Sequence, residues 1–319
     1  MFLNSTFDPV ELEKERGVIK EELAMYLDQP HHHVQELLNE TIWPDQPLGR
    51  PLTGTEKTLE SLGRSELVEY KNRNYASKST LITLAGKIEH REAVKLIARH
   101  IKKFKRGKRP VFTPADPRQE EPRVRFHRKD TEQTQLALGI RTCSRHDDRR
   151  FALRLLNVML GENMSSRLFQ VVREDNGLAY SICSSLSFFD DVGAVNISAG
   201  VETEKMEKAL KLVMGELAIF TQQLPSAGEL RRGRDYVFGH LDMNLENTEN
   251  QMTWLGEQYL GYGKVISPDE VKSRIAEVTP KEIRAVARDF FRPERLNLAV
   301  VSPLKNIRAI RPILSSISV

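Results

Sequence analysis

Residues 178–199, LAYSICSSLSFFDDVGAVNISA, read as two strands joined by a tight connection. Runs 178–189 and 193–199 carry the β-branched, aromatic and small residues of strands. Asp190-Asp191-Val192-Gly193 supplies hairpin-type turn chemistry between them. Working outward, strand-like runs lie before the pair at 124–127 and 134–141, and an apolar run at 296–301 follows it. Helical periodicity occupies 151–160, 165–173, 204–222, 227–246, 248–260 and 280–291. Strands and helices thus fall in blocks rather than alternating as βαβ units, which argues an α+β fold over a doubly wound one.

The first third reads differently. Pro9 and Asp28-Gln29-Pro30 bracket a helix at 12–27, and a second short helix is expected over 31–39. Residues 43–55, WPDQPLGRPLTGT, form a loop punctuated by proline and glycine. Helical segments follow at 56–70 and 89–104, with STLITLAGKI at 79–88 as the one convincing strand. One strand cannot make a sheet. Pro110, Pro114, Pro117 and Pro122 stand among charges and mark a boundary. The expected division is a first domain at 1–108, a linker at 109–121 and a second domain at 122–319.

Within the first helix, about 100° per residue places Val18, Glu22, Glu15, Tyr26, Ile19, Leu12 and Leu23 on one arc. Glu15 and Glu22 therefore sit inside the apolar stripe. Buried carboxylates are costly unless they serve a metal, a base or a buried cation. The plain alternative is a half-buried helix with both acids at its wet edge.

Composition narrows the classes. The chain has 319 residues, 29% charged and 39% hydrophobic, the profile of a globular protein with room for two domains. Its 48 basic and 44 acidic residues are interspersed, so the net charge of +4 gives no field that points to nucleic acid. The basic run at 102–109, KKFKRGKR, holds one aromatic and reads as a solvated linker. Cys143 and Cys183 lack CxxC spacing, which argues against a disulfide framework or a cysteine zinc site. No apolar run is long enough to span a bilayer, and MFLN has neither part of a signal peptide, so a soluble, cytoplasmic chain is expected if it starts at Met1.

Several motifs in order resemble the inverzincin metallopeptidases, the family of pitrilysin, insulin-degrading enzyme and mitochondrial processing peptidase. They are ERGVIKEEL at 15–23, DQP at 28–30, PLGRPLTGT at 47–55, SSRLF at 165–169, Arg173-Glu174 and GLAYS at 177–181. The resemblance covers essentially the whole chain. It implies two related mixed-sheet domains of the processing-peptidase type, with zinc as cofactor and a peptide as substrate. By position, Glu22 matches the distal glutamate ligand of the zinc, and Glu15 the acid that supports that site. Arg173 and Tyr180 match the pair that holds the substrate backbone and the tetrahedral intermediate.

The departure from the family is the signature H-x-x-E-H, whose histidines bind zinc and whose glutamate activates water; no such stretch occurs in the sequence. His31-His32-His33 with Glu36 lacks the second histidine after the glutamate and reads as a solvated face. The expectation is an amino-terminally truncated peptidase, its first domain incomplete and inactive alone because one carboxylate cannot retain a catalytic zinc. The alternative is a non-catalytic subunit that pairs with an active homologue, or with a second copy, and lends Arg173 and Tyr180. Neither nucleic acid nor a membrane is an expected partner.

Overall fold

The computed structural model describes residues 2–315; residue 1 and residues 316–319, at the ends of the two expected domains, lie outside the described residues. Two compact units are interleaved along the chain. A helical unit takes Met1–Met25, Leu52–Thr113 and Leu241–Ile266, and a sheet unit takes Tyr26–Pro51, Pro114–His240 and Ser267–Val319.

The sheet has five strands: β1 Arg123–Arg128, β2 Thr134–Thr142, β3 Ala179–Phe188, β4 Gly193–Val201 and β5 Leu296–Ser302, in the order β1-β5-β2-β4-β3. β1 runs parallel to β5, and the other pairings are antiparallel, so the sheet is mixed. The expected hairpin is β3–β4, with Phe188 opposite Gly193. Every residue of β5, LNLAVVS, is buried, which explains why that run is apolar without alternation.

Three helices make the thick side of the core: α6 Arg149–Asn157, α7 Met206–Gln222 and α11 Pro280–Phe290. They set Leu153, Leu156, Leu217, Phe220, Ile283 and Phe290 against Leu136, Leu138, Val195 and Leu298. The opposite face is covered by α2, Pro30–Ile42, through Val34, Leu38 and Ile42 against Ala137, Ala299 and Val301. Small residues on the sheet let this helix approach: a Cβ on Gly139 would stand 2.3 Å from Ile42 Cδ1. Arg141, buried on β2, donates to the carbonyls of Ile42, Asp116 and Arg118, and its guanidinium lies 4.5 Å over the Trp43 ring. Burial and nearby Arg123 lower that guanidinium to about 10, still charged at neutral pH. Thus α2, which the linear division assigns to the first region, packs on this sheet.

The helical unit contains the first part of α1 Pro9–Asp28, then α3 Glu56–Ser61, α4 Arg64–Asn74, α5 His90–His100 and α9 Thr248–Tyr262; α8 Ala227–Leu245 reaches it at its end. Residues 79–88 correct an expectation. They form no ladder: a 3-10 turn Ser77–Ser79 leads into unpaired chain, with Ile82, Leu84 and Ile88 exposed. An apolar run becomes a strand only where another strand accepts its backbone bonds, and among the described residues all five strands lie between 123 and 302. Helix α10, Pro268–Glu277, was not anticipated, although Ser267-Pro268-Asp269-Glu270 is a helix start and the Ser267 hydroxyl accepts from Glu270 N at 3.1 Å. A final short helix, α12, spans Arg311–Leu314.

Candidate functional site

Arg173 and Tyr180 come together at one end of the sheet unit. The chain enters through Asn163, whose Oδ1 accepts from Ser165 N at 2.8 Å, and passes through buried Ser166 and Leu168. Phe169–Glu174 is a π-helical turn, a form that recurs at functional sites. Val172 is fully buried within it, so its neighbour Arg173 points outward. The turn ends on Gly177 at φ +56°, a left-handed conformation that favours glycine. Gly177 N donates to Arg173 O at 3.0 Å and Leu178 N to Val172 O at 2.9 Å, closing the terminus and starting β3.

Tyr180 owes its position to a β-bulge. Ala179 faces Val201 and Ser181 faces Gly200, which leaves Tyr180 as the extra residue. The alternation of sides is broken there: Tyr180 and Ser181 are both exposed, and Tyr180 retains 77% of its accessible surface. Bulges re-aim side chains in this way. The Arg173 guanidinium lies 5.9 Å from the Tyr180 ring and 4.8 Å from the Phe169 ring. Its one carboxylate contact among the described residues is Glu174 at 3.7 Å, between exposed groups, so the cation is free to meet a ligand. The two side chains thus present a fixed positive charge and a phenolic hydroxyl side by side, and both can donate to a carbonyl or an oxyanion. The sequence reading gave Phe169 no role; its spacing of four from Arg173 was the available signal.

Behind this turn Arg167 anchors the segment. Its Nε donates to Glu229 Oε1 at 2.8 Å, Glu216 lies 3.8 Å away, and the guanidinium sits 4.1 Å over the Phe220 ring. Two acids share one cation unequally. Burial raises Glu216, whereas the bonds from Arg167 and Ser226 outweigh burial and lower Glu229.

The acids of α1 correct a second expectation. Glu15 and Glu22 are both exposed, as are Val18 and Tyr26 on the same arc. The covered side runs through Leu12, Arg16, Ile19, Lys20 and buried Leu23, rotated roughly 70° from the expected stripe. Two cations make the difference. Arg16 lays its stem inward and donates to Leu62 O at 2.7 Å and to Leu59 O, and Lys20 meets Glu60 at 2.7 Å. The half-buried helix with both carboxylates in water is the geometry found in this structure.

A catalytic zinc takes three protein ligands. Among the described residues no group of three or more His, Cys, Asp or Glu side chains could hold a metal ion. Glu22 has Glu15 two turns away on its helix, about 10 Å along the axis, too far to share one ion. The residues described here therefore do not by themselves fit a catalytic zinc. Of the three histidines, His31 and His32 are exposed, while His33 turns against His127 of β1 with ring centroids 4.5 Å apart. No helix among the described residues is long and apolar enough to cross a membrane.

Comparisons with known proteins agree with this architecture. The family description "Peptidase M16 inactive domain" matches residues 61–237, more than half of the chain, and "Insulinase (Peptidase family M16)" matches residues 1–56. An uncharacterized zinc protease of Streptomyces coelicolor is 34% identical over 317 residues, covering 98% of this chain and 69% of that protein. The uncharacterized zinc protease YmxG of Bacillus subtilis is 33% identical over 314 residues, covering 96% and 74% respectively. The crystal structure of a peptidase M16 inactive domain from Pseudomonas fluorescens superposes with a TM-score of 0.87 at 18% identity, over 95% of this chain and 73% of that one, a likeness of fold. With the α+β fold, the ordered motifs and these matches in agreement, the chain belongs to the insulinase family of peptidases, family M16.

Proposed function

We propose that this chain supplies the substrate-holding part of a zinc-dependent endopeptidase acting on peptides or small unfolded proteins, and that it does not turn over by itself. The observation that carries the reading is the Arg173–Tyr180 pair, exposed, adjacent and fixed by a π-helical turn and a bulge. A guanidinium and a phenol in this arrangement can hold a peptide carbonyl and stabilise the charge it develops, where one such donor is worth about 3 kcal/mol of barrier. In this reading Glu22 is the residue of the chain that would ligate zinc, with Glu15 in support, and the remaining ligands come from residues outside the sequence. The relatives named zinc proteases support the metal.

The second reading, a non-catalytic subunit that lends Arg173 and Tyr180 to an active homologue, is favoured by the exposed Ile82, Leu84, Ile88, Val94 and Leu96 of the helical unit. Both readings are tested with a quenched peptide and a labelled extended peptide. The chain alone should bind the labelled peptide without cleaving the quenched one. Arg173→Ala and Tyr180→Phe should weaken that binding while leaving the unfolding transition unchanged. Chelator-sensitive cleavage by the chain alone would overturn the first claim, and unaltered binding by both variants the second. Cleavage that appears only with a homologous H-x-x-E-H peptidase present would select the subunit reading.

A further inference from the structure

We infer that the sheet unit carries a second site, a small cavity that takes the carboxylate of a compact, partly apolar acid. The cavity has a volume of about 260 Å³. Trp43 and Val192 give it an apolar wall, Arg118, Arg141 and Arg295 a cationic one, and Glu294 is the one acid on its lining. All of these residues belong to the sheet unit. The cavity borders Thr142, which pairs with Gly193, whereas Tyr180 bulges beside Val201 at the other end of β4. Roughly 27 Å of strand therefore separates it from the Arg173–Tyr180 pair.

Arg141 is the reason to expect an anion. It is 3% exposed, and its bonds go to the main-chain carbonyls of Ile42, Asp116 and Arg118, which satisfy N–H groups without bringing a countercharge. Among the described residues no carboxylate pairs with it. The carboxylate of Asp116 is taken by Arg118, at 3.0 and 3.1 Å to Nε and 2.7 Å to Nη2. Arg123 donates to the same Ile42 carbonyl at 3.4 Å and adds a second positive charge behind the wall. A buried cation without a countercharge is costly, and that cost falls when an anion enters beside it. The stack on buried Trp43 holds the guanidinium in place.

Charge and size select the ligand. Asp116 matches Arg118, and Glu294 offsets one of the two remaining arginines, so the lining has room for a single negative charge. An oligophosphate brings several, and an ammonium would meet three guanidiniums. Arg295, 5.2 Å from the Phe290 ring and 3.9 Å from Asp289, keeps N–H groups for a carboxylate. Thr142, also on the lining, has a buried hydroxyl with no hydrogen-bond partner among the described residues. The volume lies below the roughly 300 Å³ at which drug-sized pockets begin, so the acid is small, and Trp43 and Val192 cover its apolar part. A free organic acid and the last residue of a peptide share this chemistry.

The test follows Trp43 fluorescence in the full chain carrying Trp254→Phe, titrated with benzoate, its neutral analogue benzamide, N-acetylvaline and inorganic phosphate at about 0.15 M salt. At least one of the two carboxylates should bind about tenfold or more tightly than benzamide. Arg118→Gln/Arg295→Gln should weaken carboxylate binding by about tenfold or more, and Glu294→Gln should strengthen it, a gain that damaged packing would not produce. Lys281→Gln/Lys305→Gln removes the same charge from exposed positions outside the cavity and should change little. A preference for N-acetylvaline assigns the site to a peptide terminus; a preference for benzoate, or equal binding, assigns it to a free acid. No saturable binding of either carboxylate, equally tight binding of benzamide, displacement of both by phosphate, or equal losses in the two double variants would overturn the proposal.

Discussion

Replacing Arg167 by methionine tests how the Arg173 turn is held. The change keeps a long apolar stem and removes the charge from a site where Arg167, Glu216 and Glu229 keep only 20%, 11% and 23% of their side-chain surface. The 2.8 Å bond to Glu229 is charge-assisted, the Glu216 contact is longer, and the stack on Phe220 adds a cation–π attraction. Their loss leaves two mostly buried carboxylates facing each other. Breaking a buried pair from one side costs about 3–5 kcal/mol, and that is the expected destabilisation. The chain has two tryptophans, Trp43 in the sheet unit and Trp254 in the helical unit, so Trp254→Phe leaves one fluorophore that reports the sheet unit. Urea unfolding followed by Trp43 should show the deficit at pH 7. The sign with pH follows from the acids. Without Arg167 both folded carboxyl groups rise above the unfolded value near 4.3, so the variant gains stability relative to the parent as pH falls from 7 toward 5. A deficit below about 1 kcal/mol, or one that widens on acidification, would refute the account.

Three further outcomes are expected. Burial and the neighbouring His127 and Lys129 lower the pKa of His33, whose Nδ1 is buried without a partner among the described residues, so its neutral form contributes stability above the unfolded value near 6.5 that is lost as pH falls through the lowered folded value; His33→Leu should flatten this part of the stability profile, and an unchanged slope would count against it. Gly177→Ala meets no atom within 4 Å yet must keep φ at +56°, so it should cost about 1 kcal/mol in thermal unfolding and weaken peptide binding through Arg173, whereas a neutral result would show that the turn does not depend on glycine. In the helical unit the buried hydrophobic residues among those described are Leu23, Leu59, Ala76 and Ile266, so limited proteolysis should cut between 52 and 113 before it cuts the sheet unit; equal resistance would contradict the difference in core.

The sheet unit was largely legible because its signals are local and agree with one another. Alternation and turn chemistry mark β3 and β4, a continuous apolar run marks β5, and the capping pair Thr279 and Glu282 starts α11 where its periodicity begins. What could not be read was the covering of the sheet by α2. The stripe Val34, Leu38, Ile42 says that a helix packs, but not on what, and the partner surface is Ala137, Ala299 and Val301, far away in sequence. Residues 79–88 failed for the converse reason, since their strand-like pattern has no described partner in the helical unit. A strand is a property of a pair.

The two halves of the candidate site separate along the same line. Periodicity put Glu15 and Glu22 at the centre of a stripe because it scored Arg16 and Lys20 as polar, yet the stems of those cations are what covers the helix, and their heads reach Glu60 and Leu59 O of α3 and Leu62 O just beyond it. A sequence rule that assigns a residue wholly inside or outside misplaces long cationic side chains. Tyr180 shows the opposite case. No alternation rule places two consecutive residues of one strand in solvent, so the bulge was invisible to pattern, whereas the ordered motif GLAYS named the residue without its geometry. The structure supplies the reason for the motif: Gly177 turns the chain, Leu178 and Ala179 anchor it in the core, and the extra residue is released toward Arg173. Each position of the motif then has a separate physical task, and substitutions at Gly177, Ala179 and Tyr180 should fail in different ways: through backbone strain, through packing, and through the loss of a hydroxyl with the fold intact.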